Sequence, residues 1–551
     1  MTGSENSIDV MVVGGGVAGL CAAIAAHDQG AKVMLVEAAD QLGGTASWSG
    51  GALWVPANHH LAAAGGEDSR DAALAYMRHC SQGRSKDSLL AAYLDAAPEV
   101  VRYLEDNTPL RFEVGIMPDY EGGIEGGFYT PGLSRSLAPH VFNINRLGDQ
   151  QKLLRRSPHG TVPFGYQEYA QMNATIHPER IDPVEYQRRL EAGDLGWGEA
   201  LCAALLLGVL ERDIQISTET RLSEARPSDT GYDVTLDSQA RGQSELAVRN
   251  LILCCGGYEW DSELMEKNFP RANVQPATVP DNLGTAWKLA EQLGAQIGNE
   301  STCWGWPAYK IPGETLADGN DLIRSGLVER ALPHMVLINA KGRRFVDESL
   351  PYHAILKAMV ELDSDGYSCP NLPAFHVFDQ QFRDKYSFGP IAPGMPTPDW
   401  MLQAESLEEL AAKAGIDAAS LVSTIERFNQ DVAERGKDSE FHRGTSSYGL
   451  FWGDPDNQPA PNLGCVNKGP FYAVPMFPST IGTCGGPVTD EHARVLDSEG
   501  KAMPGLYAAG NSTAAFSGPS YFGPGGTIGP AMIFGVVAAR HAGKRLQGEA
   551  S

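Results

Sequence analysis

The sequence contains no CxxC pair and no HxxxH or HExxH pair, so neither cysteine-rich zinc sites nor helical histidine sites are encoded. Its nine cysteines are scattered, with only Cys254 and Cys255 adjacent, which fits reduced thiols in a cytoplasm and no disulfide framework. No metal site is expected, and His59-His60 reads as a surface pair. No uninterrupted apolar run approaches ~20 residues, so no transmembrane helix is predicted. The longest apolar stretch, Ala200–Leu210, reads as a buried helix, and peripheral membrane docking stays open. The opening residues, MTGSENSIDV, lack a basic segment followed by an apolar one, so no signal peptide is expected. Basic residues are few: 43 Lys and Arg against 68 Asp and Glu give a formal charge of −25, which argues against nucleic acid and anionic membrane surfaces. There is no internal repeat. At 551 residues the chain is too long for one core, and two domains are expected.

Glycine, by contrast, is abundant at 62 residues, and its placement is informative. The apolar run Val10–Val13 leads into Gly14-x-Gly16-Val17-Ala18-Gly19, then a small-residue helical pattern, then a second apolar run, Lys32–Val36, ending in Glu37-Ala38. This is a strand–turn–helix–strand unit with an acid about twenty residues past the glycines, the fingerprint of dinucleotide binding. Gly14 permits the tight turn, Gly16 lets backbone approach a pyrophosphate, and Gly19 lets the helix pack close to the sheet. The pyrophosphate meets a helix N-terminus, where free N–H groups and the dipole favour an anion. Glu37 accepts from ribose hydroxyls and repels a 2′-phosphate. Downstream, Gly43, Gly44, Thr45, Ser47, Ser49, Gly50 and Gly51 make a loop without charge, suited to run along a ribityl chain and flavin. The loop resembles the one used by two-domain FAD enzymes of the succinate dehydrogenase and fumarate reductase type, and that resemblance implies FAD as the cofactor. With no histidine between Gly43 and Gly51, the attachment should be noncovalent.

The pattern predicts an α/β fold: a discontinuous Rossmann-like FAD-binding domain carrying a smaller α+β catalytic domain. The expected segments are 1–283, 284–474 and 475–551, with residues 130–195 an inserted excursion of unknown role. Asp213–Leu222, Gly231–Leu236 and Val248–Cys255 read as strands, the last stopped by Gly256-Gly257. Leu222, Asn282 and Gly284, which opens a helix to Leu293, join the expected cofactor contacts. Val336–Val346 reads as a hairpin and Leu407–Arg435 as helical. The chain then returns through a strand pair, Gly485–Leu496, and a buried strand ending in Gly510-Asn511. A second glycine-rich turn, with Gly526, Thr527 and Ile528, enters the helix Pro530–Arg545 and should hold the flavin ring.

Four segments together resemble the 3-ketosteroid Δ1-dehydrogenases, flavoproteins of the succinate dehydrogenase and fumarate reductase superfamily. Ser520-Tyr521-Phe522-Gly523-Pro524-Gly525-Gly526-Thr527 is similar to that family's SYPGPG-x-T loop, with Phe522 in place of proline. Arg344-Phe-Val-Asp347-Glu348-Ser-Leu-Pro351-Tyr352 is similar to its RF-x-NE-x-x-PY, with Asp347 in place of asparagine. Met117-Pro118-Asp119-Tyr120 matches its PDY. Thr480–Gly486 with Gly505–Asn511 is the general flavin-domain ending. The resemblance implies that Tyr521 and the Gly525 N–H hydrogen-bond the C3 carbonyl oxygen of a 3-oxosteroid, that Tyr352 takes the C2 proton, and that Tyr120 assists. It implies an external electron acceptor, a quinone or a soluble carrier.

The chemistry is reasonable for these residue types. Removing a proton beside a ketone puts charge on the carbonyl oxygen, where two fixed donors in a dry pocket act as an oxyanion hole. A phenol of ordinary pKa ~10 is a poor base until a neighbouring hydroxyl and positive surroundings favour its anion. An uncharged substrate needs no arginine clamp, and none occurs in these motifs except Arg344 at one edge. Arg343-Arg344 reads as a solvated hairpin tip or an interdomain pair. Phe522 is expected to add bulk near the carbonyl end of the pocket. Three rivals stay open. A Δ4-(5α)-dehydrogenase or related cyclic-ketone desaturase is the nearest, a fumarate-reductase-like enzyme is more remote, and a non-catalytic flavoprotein is the third.

Overall fold

The computed structural model describes residues 8–270, 273–365 and 367–550; the signal-peptide reading rests mostly on residues 1–7, outside that set. Strands whose last four residues are buried form the centre of the first sheet. Val33–Val36, Ile8–Val13, Gly242–Leu253 and Ala502–Ala508 lie side by side and parallel, with Gln215–Ser217 beyond Val33–Val36. Parallel strands need both faces covered. On one face lies helix Val17–Asp28, buried on ten of its twelve residues because helices Trp197–Leu210 and Ile528–Leu546 pack behind it. Gly535 allows the closest approach there: a Cβ would sit 2.5 Å from the Ala18 carbonyl oxygen. The antiparallel ribbon Thr220–Pro227 with Tyr232–Ser238 joins Gly242–Leu253.

The second sheet is antiparallel through its centre, in the order Asp321–Ser325, Cys303–Thr315, Phe471–Thr483, Ala374–Asp379, Met335–Asn339. Strand alternation divides its side chains between two cores. Val336 and Ile338 meet helices Leu407–Ala414 and Ala418–Arg435, while Met335 and Leu337 meet Ile355 and Met359 of helix Tyr352–Met359. Among the described residues no helix is long and apolar enough to cross a membrane.

Several expectations change in detail. The turn at Ala340–Gly342 is present, but the hairpin around it is minimal. Met335–Asn339 pairs with Ala374–Asp379, and the return strand shrinks to one bridge between Ile338 and Arg344. The helical region 407–435 is two helices, separated where Gly415 takes φ +70°. Strand Phe471–Thr483 straddles the expected seam at 474, and Gln275–Pro276 already pairs with it before residue 284. His59 and His60 are half-buried, and both Nε2 atoms lie on the Glu105 carboxylate at 3.1 and 2.9 Å.

Candidate active site

One cavity of about 790 Å³ runs between the two sheets and joins the glycine-rich turns to a cluster of tyrosines. Of the expected cofactor residues, Gly14, Gly16, Val17, Ala18, Glu37, Ala38, Gly44, Thr45, Ser49, Gly50, Gly51, Leu222, Gly256, Asn282, Gly510, Asn511, Thr527 and Ile528 line it. Gly14 (φ +104°) turns the chain against the Cys254 carbonyl, and a Cβ on Gly16 would meet only open space. The helix that follows has no side-chain cap, so its first N–H groups remain available to an anion. Burial pushes the Glu37 carboxyl up, and its two oxygens already accept from Gly15 N at 2.6 Å and Ala39 N at 2.9 Å. The Nε of Arg155 is buried without a partner beside this end. The cradle therefore fits a dinucleotide.

Six expected cofactor residues do not line the cavity. Gly19 packs on the Gly14 carbonyl, Gly43 hydrogen-bonds Gly15, and Ser47 is buried against Gly43. Gly257 lies against Thr483, Gly284 caps a helix, and Gly526 leaves room for the Tyr521 ring, 2.9 Å from where its Cβ would be. They support the cradle from behind. Sequence reading missed Trp48, inside the Gly43–Gly51 loop, and Ala52, Arg155, Arg221, Val279 and Asp281, which lie outside the motifs, in the lining.

At the other end, the four residues expected to do chemistry converge. The Tyr120 hydroxyl donates to Tyr352 Oη at 2.6 Å, and Tyr352 donates to Tyr521 Oη at 3.1 Å. Gly525 lines the same cavity at φ +86°, and its N–H has no backbone acceptor among the described residues. The segments are tied together locally. Phe522 O accepts from Tyr120 N at 3.2 Å and from the Tyr76 hydroxyl at 2.5 Å, and Ser136 Oγ donates to Pro524 O at 2.6 Å. Asp119, next to Tyr120, is buried and accepts from Arg135, Trp54 Nε1 and Phe128 N. From helix Tyr352–Met359, Lys357 Nζ donates to Pro519 O at 2.9 Å.

Two expectations fail here. Phe522 does not face the cavity. Its ring packs 5.3 Å from Trp54 in an aromatic core, because its backbone rather than its side chain serves the loop. Arg344 is not solvated; it is buried and forked onto Glu348 at 2.7 and 2.8 Å and onto Asp438 at 3.0 and 2.8 Å, building the floor below Tyr352. The 130–195 excursion, of unknown role from sequence, supplies Arg155, His159, Tyr166, Tyr169, Asn173 and Ile176 to the cavity wall. A fourth tyrosine, Tyr448, stacks edge-on 5.1 Å from Tyr120; its only sequence signal is an aromatic run that matches no motif. Trp306 and Trp452 line the same pocket with indole N–H groups buried and unpartnered.

Burial pushes the Tyr352 and Tyr120 phenols well above their usual range; the bond from Tyr120 draws Tyr352 back down. Burial also lifts Tyr448, to about 12, against the downward pull of Arg330.

Residues 9–528 match the family described as the FAD binding domain. Over 98% of its length the chain is 35% identical to a 3-oxosteroid 1-dehydrogenase of Mycolicibacterium smegmatis, 97% of which is covered. The chain belongs to the 3-oxosteroid 1-dehydrogenase family of FAD-binding flavoproteins. Its fold superposes on a 3-ketosteroid Δ1-dehydrogenase from Sterolibacterium denitrificans, in complex with 1,4-androstadiene-3,17-dione, with a TM-score of 0.89 at 32% identity, covering 98% of this chain and 100% of that one. A 4-oxocyclohexanecarboxylate 2-dehydrogenase of Sinomonas cyclohexanicum is 36% identical over 97% of this chain and 93% of that protein. Membership of this family makes the chain an FAD-dependent oxidoreductase with a Rossmann-like cofactor domain.

Proposed function

We propose that this flavoenzyme desaturates 3-oxosteroids between C1 and C2. The row of three hydrogen-bonded phenols beside the unpaired Gly525 N–H carries the reading. The ketone oxygen lies between the Tyr521 hydroxyl and the Gly525 N–H, which stabilise the charge that develops when C2 loses its proton. Tyr352 takes that proton, and Tyr120, donating to Tyr352, supports its anion. The cradle of Gly14, Gly16, Glu37 and Gly44–Gly51 would hold FAD noncovalently, and when bound it would supply the acceptor for the C1 hydrogen with its electron pair, the electrons then leaving to an external quinone or soluble carrier. The walls around the tyrosines, Ile116, Met117, Leu327, Trp306, Trp452 and Ile481, exclude water and suit an apolar ring system.

A monocyclic oxo acid is the second reading, favoured by the 36% identity to the cyclohexanecarboxylate enzyme. Cavity length supports the steroid. On strand Cys303–Thr315 the lining runs from Trp306, beside Tyr352, to Tyr309, about 10 Å at strand rise, and on to Arg324 of the neighbouring strand. A single ring leaves that length unfilled. Arg324 is already forked onto Glu314.

Anaerobic dye reduction with a 3-oxo-4-ene steroid, 4-oxocyclohexanecarboxylate and succinate tests the assignment. Reduction by the steroid, with a new C1 vinyl proton in the product, is expected. Turnover of the monocyclic acid without the steroid, or of succinate, overturns it.

A further inference from the structure

Outside the cavity, one cluster brings metal-binding side chains together without any motif. His59 and His60 open the short helix His59–Ala63, and Glu105 comes from the end of helix Asp87–Asn107, 45 residues beyond His60. His60 Nε2 lies 2.9 Å from both Glu105 carboxylate oxygens, and His59 Nε2 lies 3.1 Å from Oε2. The three ligand atoms fall within 4.8 Å of one another, and among the described residues no other group of three His, Cys, Asp or Glu side chains does so. None of the three lines the active-site cavity. Ligands held about 2.0–2.2 Å from a tetrahedral zinc stand roughly 3.3 Å apart, so these spacings need open by only a few tenths of an ångström to admit an ion.

The donors are held from behind. The buried Asn58 amide donates to Val55 O and Arg135 O at 2.7 and 3.3 Å and accepts from Leu61 N at 2.8 Å, which fixes the turn carrying both histidines. Glu105 Oε1 accepts from Phe112 N at 3.0 Å, an outer bond of the kind that orients a metal ligand. The Glu105 side chain is nearly buried, while the two rings keep 27% and 24% of their surface exposed. That leaves an open side for a water as fourth ligand. Charge pairing alone accounts for only half of the cluster, because one carboxylate neutralises one imidazolium. Burial, His60 and Arg102 hold His59 below its ordinary pKa, so its ring is uncharged at neutral pH and has a lone pair to give. Of the cations close by, Arg111 spends Nη1 on the carbonyls of Glu105, Thr108 and Leu110, at 2.5, 2.7 and 2.5 Å.

We propose that His59, His60 and Glu105 form a structural site for a zinc-class divalent cation, with water completing its shell. Two imidazoles and one carboxylate suit zinc, whereas calcium and magnesium take oxygen ligands. His59 Nδ1 is buried without an acceptor, where a metal-bound imidazole normally donates, so binding should be micromolar rather than tighter. The ion would pin the turn that follows strand Leu53–Trp54 to the end of helix Asp87–Asn107, and Trp54 N in turn donates to Gly525 O at 3.2 Å.

Calorimetric titration of chelator-treated holoenzyme with ZnCl2 tests this. One equivalent should bind per chain, and the Tm should rise with zinc. His60→Gln and Glu105→Gln should each weaken binding about 100-fold or more and remove the rise in Tm. No zinc uptake by the parent enzyme, or uptake and a Tm rise unchanged in the variants, overturns the proposal. If Glu105→Gln does not fold, His60→Gln decides alone, because its ring is partly exposed and its loss leaves the bond from Phe112 N in place.

Discussion

At the cradle end of the cavity the groups offered to a ligand are backbone N–H groups from glycine turns; at the other end they are phenolic hydroxyls carried by segments far apart in the chain. The cradle comes largely from one continuous unit, Ile8 to Gly51, whose positions are fixed by φ angles and close packing. Tyr120, Tyr352, Tyr448 and Tyr521 are brought together only when both sheets and the C-terminal loop are in place. At Gly14 and Gly51 the turns tolerate no added bulk, because a Cβ there collides with main chain. Side-chain donors can be removed one at a time with little disturbance, because each ring keeps its packing when its hydroxyl goes. Binding and chemistry are thus separable by mutation.

The largest separation should come from Gly14→Ala. Its Cβ would fall 2.3 Å from the Cys254 carbonyl at φ +104°, and flavin absorbance per protein should be lost almost entirely. Next, Tyr352→Phe and Tyr521→Phe should each lower kcat by about 100-fold or more while binding a full complement of FAD. Flavin loss in either would break the distinction between the two ends. Below the tyrosines, Glu348→Gln leaves Arg344 and Arg443 short of a carboxylate and should cost about 3–5 kcal/mol in denaturant unfolding. Burial works against the Glu348 anion, but Arg344 holds its pKa below the usual carboxylate value of about 4.3. The stabilisation is therefore complete above that value and is lost as pH falls through the lower folded one. The variant should lack this acid-dependent fall in Tm. Tyr448→Phe, which touches neither ketone nor proton directly in this scheme, should lower kcat by about tenfold or less. Asp347→Asn should change little, within about 0.5 kcal/mol, because an amide oxygen can accept the same two bonds from Ser349.

What could be read from sequence follows the same division. The Gly14–Glu37 unit was legible because spacing along one strand, turn and helix is itself the geometry. Tyr120, Tyr352 and Tyr521 were legible only through motif resemblance, since no local pattern says that three loops meet. Phe522 was misjudged because the motif gives residue types and not side-chain directions. Arg344 was misjudged because Asp438, one of its partners, lies far along the chain. Tyr448 carries no spacing signal, and only the assembled core shows that it faces phenols.

The 130–195 excursion reaches two parts of the cavity wall, with Arg155 near Glu37 and Asp281, and Ile176 packed into the core of the second sheet. Replacing it as a block would alter prosthetic-group retention and ring-size preference together. Relatives that differ here offer a way to redirect selectivity while leaving the reacting phenols untouched.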